Sequence, residues 1–171
     1  MGTDIHAFIE YRFGDNVNPP WLPFQEGELS LGRCYALFKA LAGVRKQVGD
    51  PDELIPARGF PDDASSECFL AIHVPIFDNP PVEDDVFHDW PYVLRSRVTS
   101  EFTVVKYRNE DYVREGDGHH HSYLSLTEIY RCLEHSNLLI SETDIWFQAA
   151  VAAMSTIETL FETRLVFWFD N

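Results

Sequence analysis

Apolar and polar residues alternate from Thr3 to Arg12, with Ile5, Ala7, Ile9 and Tyr11 on one side and Asp4, His6, Phe8 and Glu10 on the other. That period of two predicts a strand. A second alternation, Arg97 to Arg108, predicts another strand, and Arg164 to Phe169 predicts a C-terminal one. Elsewhere the spacing is helical. Tyr35, Leu37, Phe38, Leu41 and Ala42 recur at three and four within a helix expected over Gly32 to Ala42, and Gly43 follows as a C-cap. Ser125 and Glu128 make a capping box ahead of a helix reaching His135. The longest helix is expected from Glu142 to Thr163, with Ile145, Ala149, Ala152, Ala153, Ile157, Leu160 and Phe161 on a broad apolar face. Cys68 to Phe77 is expected as a short strand. Residues 15–20, 46–66, 78–92 and 109–118 are rich in Pro, Gly, Asn and acids and are expected as loops. Together these elements predict one α+β domain over residues 1–171, its sheet pairing the N- and C-terminal strands and packed by about three helices.

Charge narrows the function classes. The 171 residues carry 13 Lys plus Arg against 28 Asp plus Glu, a net charge of −15. Nucleic-acid affinity comes mainly from cations, so a binder of bulk nucleic acid is excluded while a local basic pocket is not. Ten of the cations are Arg, whose planar fork matches carboxylate or phosphate. No apolar run reaches the ~18–20 residues of a membrane span, so no membrane partner is expected. Asp4 stands where a secretory signal would carry Lys or Arg. Cys34, Cys68 and Cys132 are far apart with no CxxC pair, which predicts free thiols in a reducing cytoplasm. Cys34 and Cys132 fall on apolar helical patterns, where a buried thiol is expected.

Four polar features are candidates for chemistry. Asp4 and His6, two apart on a strand, share a face, so a carboxylate and an imidazole point together. His119, His120, His121 and Ser122 precede the helix that starts at Ser125, whose first amides favour an anion. If that segment is extended, His119 and His121 face together. Arg58 lies among turn formers, and its bland reading is a pair with Asp62 or Asp63. Asp170 ends the aromatic strand and can reach the face that carries His6. Each feature alone has a structural explanation of equal or greater weight.

In order along the chain stand MGTDIH at the start, RCYALFKALAGVR (33–45), RGFPDDAS (58–65), HHHSYLSL (119–126) and VFWFDN (166–171). This set resembles a family of small bacteriophage proteins that begin MGCDIH, carry RGLP-like and HSHSWL-like segments, and end near FWFDN. Thr3 departs from the family's Cys, His120 from its Ser and Tyr123 from its Trp, so a thiol at position 3 is not essential here. The resemblance carries no settled activity. It implies a phage or prophage origin, action in a host cytoplasm, and one shared pocket for the four polar features. By analogy with other small phage proteins it also implies immune evasion.

Three functions are expected in turn. The first is a nucleotide sponge that sequesters a phosphorylated small molecule, a cyclic nucleotide signal of host antiviral defence, without a cofactor. Arg58 and Arg33 would pair phosphate. His6, His119, His121 and Ser122 would donate hydrogen bonds, with Tyr123, Trp90 or Trp168 stacked on a base. Such proteins are often homo-oligomers. The second is a metal-assisted phosphodiesterase or hydrolase, with Asp4, His6, His119, His121 and Asp170 holding a divalent metal. The third is an acidic protein-binding inhibitor or DNA mimic, motivated by the charge although the carboxylates are scattered.

Overall fold

The alternating segments at the two ends of the chain pair with each other along their whole length, Ile5 opposite Phe169 and Arg12 opposite Glu162, antiparallel. The computed structural model describes residues 2–14, 18–79, 91–100, 102–114 and 118–170. In chain order its elements are β1 (Ile5–Arg12), β2 (Leu22–Pro23), β3 (Leu29–Ser30), α1 (Tyr35–Ala42), α2 (Ser66–Leu70), β4 (His73–Phe77), β5 (Val93–Leu94), β6 (Val104–Tyr107), β7 (Glu110–Arg114), β8 (His119–Leu124), α3 (Leu126–His135), α4 (Ile145–Ile157) and β9 (Glu162–Phe169). The fold class is α+β. Two compact units form, Met1–Cys68 with Asp117–Asn171, and Phe69–Gly116.

The first unit is built on an antiparallel sheet in the order β2-β1-β9-β8, with β3 also beside β1. One face is dry. Ile5, Ala7 and Ile9 of β1, Leu165, Phe167 and Phe169 of β9, and Leu124 of β8 all point into one core. Three helices close it: α1 with Leu37, Phe38 and Leu41, α3 with Ile129, Cys132 and Leu133, and α4 with Phe147, Val151 and Met154. Burial of each large side chain here stabilises by roughly 1.5–3 kcal/mol.

The helix ends have identifiable causes. Gly43 sits at φ 66°, and Val44 N–H donates back to the Phe38 carbonyl, a left-handed Schellman stop for α1. Ser125 and Glu128 form the expected capping box of α3. Asp144 caps α4, accepting from Trp146 N–H at 2.8 Å. This helix starts three residues later than the spacing predicts and ends six earlier. Residues 158–161 turn the chain, and Glu162 already pairs with Arg12 as the start of β9. Among the described residues no helix is long and apolar enough to cross a membrane.

The second unit pairs β4 with β7 antiparallel, β4 with β5 parallel, and β6 with β7 antiparallel. Phe69 is stacked between His73 at 4.0 Å and Tyr107 at 4.1 Å. Three expectations are corrected here. Cys68 is helical within α2, and only His73–Phe77 is strand. The strand expected over 97–108 shrinks to Val104–Tyr107, because Arg95–Arg97 coils into a 3-10 turn. The loop expected from 109 contains β7. Arg108 and Asn109, at φ 50° and 71°, make a two-residue hairpin turn that joins β6 to β7. All three cysteines are free, but Cys34 is only half-buried, at the N-cap of α1.

Candidate functional site

The opposite face of the terminal-strand sheet carries the polar chemistry. Glu10 on β1 faces Arg164 on β9. Glu10 is fully buried, and its carboxylate accepts Arg164 Nε–H at 2.7 Å and the Ser65 backbone N–H at 2.6 Å. Arg164 also donates to the Asp63 carboxylate at 2.8 Å and the Asp63 carbonyl at 3.3 Å. Trp21 Nε1–H completes Asp63 at 3.0 Å. Burial would raise the Asp63 carboxyl, but Arg164 and Trp21 outweigh it and hold the group below its usual range. A buried guanidinium is thereby fully paired, which a charge in this position requires.

Rings and guanidiniums alternate outward from Arg164. Its guanidinium carbon lies 4.0 Å from the Trp21 ring centre, and that of Arg12 lies 4.5 Å from the same ring. On the other side Tyr123 stands 5.4 Å from Arg164 and 5.3 Å from Arg58. The order across the face is Arg12, Trp21, Arg164, Tyr123, Arg58. These five residues line an open groove of about 960 Å³, with Ser125, Thr127 and Glu128 at the start of α3 and residues 158–163 on the far wall. The three cations face four carboxylates in the lining, Asp63, Glu128, Glu158 and Glu162. Arg12 pairs with Glu162 at 2.6 Å. Arg58 forks onto Glu128, one nitrogen at 3.0 Å, and also donates to the Tyr123 carbonyl at 3.2 Å. The Arg58 hydrogen bond holds Glu128 below the usual carboxylate range.

Arg58 is thus held as its bland reading supposes, but by Glu128 and not by Asp62 or Asp63. Its loop closes the free edge of β8: Gly59 N–H donates to the His121 carbonyl at 2.9 Å, and Arg58 N–H to Ser122 Oγ at 3.2 Å. Ser122 therefore serves as a buried anchor for the loop.

A second row crosses the same face nearer the termini. His6 lies flat against Trp168, with centroids 5.5 Å apart and planes 5° from parallel. His121 stacks on Trp168 at 6.4 Å, and Phe60 meets both edge-on. His6 Nδ1 meets Glu28 at 2.6 Å and its Nε2 meets Asp170 at 3.1 Å. Glu28 chiefly, with Asp170, pushes the imidazole up to about 9 against its partial burial, so it is an imidazolium at neutral pH. Asp170 also accepts Asp4 N–H at 3.1 Å. Asp4 does not join His6 in a site. Its carboxylate is forked by Arg33, which lowers it, and Arg33 is committed to that pair.

The expectation that His119 and His121 face together is overturned. The register slips between His119 and Ser122, and His120 takes a left-handed φ of 51°. This β-bulge turns His119 to the core face, opposite Phe169, and leaves His121 beside Trp168 on the other. His119 Nδ1 meets His120 Nδ1 at 2.6 Å. Of the five residues expected to hold a metal, His6 and Asp170 touch. Asp4 is taken by Arg33, and the bulge parts the two histidines. Among the described residues no group of three or more His, Cys, Asp or Glu is placed to hold an ion. Trp90 lies outside the described residues.

The four features share one sheet face in part: His6, Asp170 and His121 in one row, Arg58 and Tyr123 in the other. Local pattern marks none of Arg12, Trp21, Glu10 and Arg164 as a site residue, and offers Asp63 only as a partner for Arg58. One signal was available for two of them. Once the terminal strands pair, Glu10 and Arg164 are charges of opposite sign inside apolar strands, which marks a buried pair. No protein family model, curated protein or solved structure matches the chain.

Proposed function

We propose that the protein captures a phosphorylated, ring-bearing small molecule in the arginine–aromatic groove and holds it without turning it over. Nucleotides are the class that fits such a surface. Guanidiniums fork onto phosphate oxygens, and both guanidinium planes and the Tyr123 ring can stack on a base. The observation that carries this reading is the alternation Arg12, Trp21, Arg164, Tyr123, Arg58 along one groove. Trp21 and Arg164 form a buried, fixed floor, while Arg12 and Arg58 are part-exposed at the rim.

The reading shifts the ligand away from His6, His119, His121 and Arg33 and keeps Arg58 and Tyr123. It also sets a condition. The lining carboxylates occupy the rim guanidiniums, so a phosphate binds by displacing them. Exposed pairs of this kind are worth only about 0–1 kcal/mol, which makes exchange feasible. Capture without catalysis is favoured because the described groove lining includes no His or Cys, and Glu128 and Asp63 are held ionised by arginines. The bacteriophage resemblance points to nucleotide signals of antiviral defence, met in a host cytoplasm, as the ligand pool.

A thermal-shift panel of nucleotides tests the reading. A true ligand at about a hundredfold excess over its Kd should raise the melting temperature by roughly 5–10 °C. An unchanged melting temperature across mono-, di- and cyclic nucleotides sinks it.

A further inference from the structure

We infer that the groove takes a ligand with two separated anionic groups, at least a dinucleotide in size, and not a mononucleotide. The inference rests on the capture reading above and names its ligand class. Among the described residues, two lining guanidiniums are within a ligand's reach. The Arg164 side chain is 6 % exposed and fully occupied by Glu10 and Asp63. Arg12 and Arg58 are 29 % and 32 % exposed, and each has one carboxylate partner.

Those two arginines stand at opposite ends of the ring-and-cation row. Arg12 is opposite Glu162 on β9, while Tyr123, beside Arg58, is opposite Val166. Four residues along the strand and two strands across separate the Arg12 and Tyr123 backbones by about 17 Å. Trp21, Arg164 and Tyr123 stand between the two guanidiniums, so two anions match the row better than one. A molecule carrying two phosphates with a base between them can pair one at each end while its ring lies over Tyr123 and the floor. The volume of about 960 Å³ is at the upper end for a small-molecule site.

Each rim arginine can also change partners without stranding the carboxylate it leaves. Glu128 retains the Ser125 N–H at 2.9 Å and the Ser125 hydroxyl, so the α3 cap survives. Glu162 is 51 % exposed and returns to water. The two ends are thus pre-aligned by carboxylates that stand in for the ligand's anions.

Calorimetric titration with adenosine monophosphate and with the 5′-phosphorylated diadenylate pApA, at equal low ionic strength, decides the matter. The diadenylate should bind at least about tenfold tighter. Arg12→Gln and Arg58→Gln should each reduce it to the monophosphate level. Glu162→Gln, which frees Arg12 and leaves the core untouched, should tighten it severalfold. Equal binding of the two nucleotides overturns the two-anion inference and leaves capture standing. If neither nucleotide binds the wild-type protein or Glu162→Gln, the capture reading falls and this inference falls with it.

Discussion

Two rows of rings and charges cross the same face of the terminal-strand sheet, and they are built from different cations. In the row nearer the termini, His6, Trp168 and His121 lie roughly parallel, and the charge on His6 exists because Glu28 and Asp170 sit at its two nitrogens. In the other row the cations are arginines, which stay protonated whatever surrounds them. The histidine row is roofed by Phe60 and has a carboxylate at each nitrogen of His6, so it is a piece of architecture. The arginine row opens on a groove with two half-exposed guanidiniums. A charge created by its partners holds elements together, whereas a charge that persists without its partners is free to exchange them.

The largest test of that contrast is at the buried end of the arginine row. Arg164→Met strands the fully buried Glu10 carboxylate and should destabilise by about 3–5 kcal/mol. The double variant Glu10→Leu/Arg164→Met removes both charges and should recover all but about 1–2 kcal/mol, the remainder coming from the orphaned Ser65 N–H. Asp63, mostly exposed, returns to water in either case. Urea unfolding of the three proteins reads this directly. If the double variant is no better than the single, the pair is not a buried, coupled unit, and the floor of the groove is not fixed as described.

Why the sequence points to His6, Asp170 and the His-rich tract, but in the arginine row to Arg58 and Tyr123 alone, follows from range. His6, Asp170 and the His-rich tract stand in short local patterns at the termini and ahead of a capped helix. The pairing of the terminal strands, the Ser125–Glu128 box and the Gly43 stop are likewise local or edge features, and each forms as expected. Arg12, Trp21, Asp63 and Arg164 come from four separated places, and the sheet register with the loop hydrogen bonds of Asp63 brings them together. The left-handed His120 was equally hidden. Histidine visits positive φ more often than most residues but still rarely, so a period-two reading of 119–121 places both outer histidines on one side.

The second test acts on the histidine row and carries a sign. His6 rises from 6.5 to about 9 in the folded protein. Its contribution is therefore complete below pH 6.5, shrinks as pH climbs, and is gone above about 9. Its part exposure reduces the formal value to an order of 1–2 kcal/mol. His6→Phe keeps a ring on Trp168 but cannot titrate. The stability difference between wild type and this variant should narrow by that amount between pH 6 and pH 9.5. The buried His73 of the second unit supplies an opposite slope. Desolvation depresses it to about 4, so it removes stability as pH falls from 6.5 toward 4. A wild-type-minus-variant difference for His6 that stays flat with pH would mean that the imidazole is not bridging Glu28 and Asp170.

The smallest expected effect is at the bulge that separates His119 from His121. A non-glycine residue at φ 51° is strained by roughly 1 kcal/mol. His120→Gly should remove that strain and stabilise the protein by about 0.5–1 kcal/mol, less the loss of one exposed contact with His119. His120→Val should destabilise by about 1–2 kcal/mol, because a β-branched side chain fits a left-handed backbone worst. Thermal unfolding ranks the three, glycine above histidine above valine. The ring-current shifts of the His121 protons beside Trp168 should stay put in the glycine variant, since the bulge is kept. The reverse ranking, with valine the most stable, would mean an extended residue 120. His119 and His121 would then share a face, and the histidine row would gain a third imidazole beside His6 and His121.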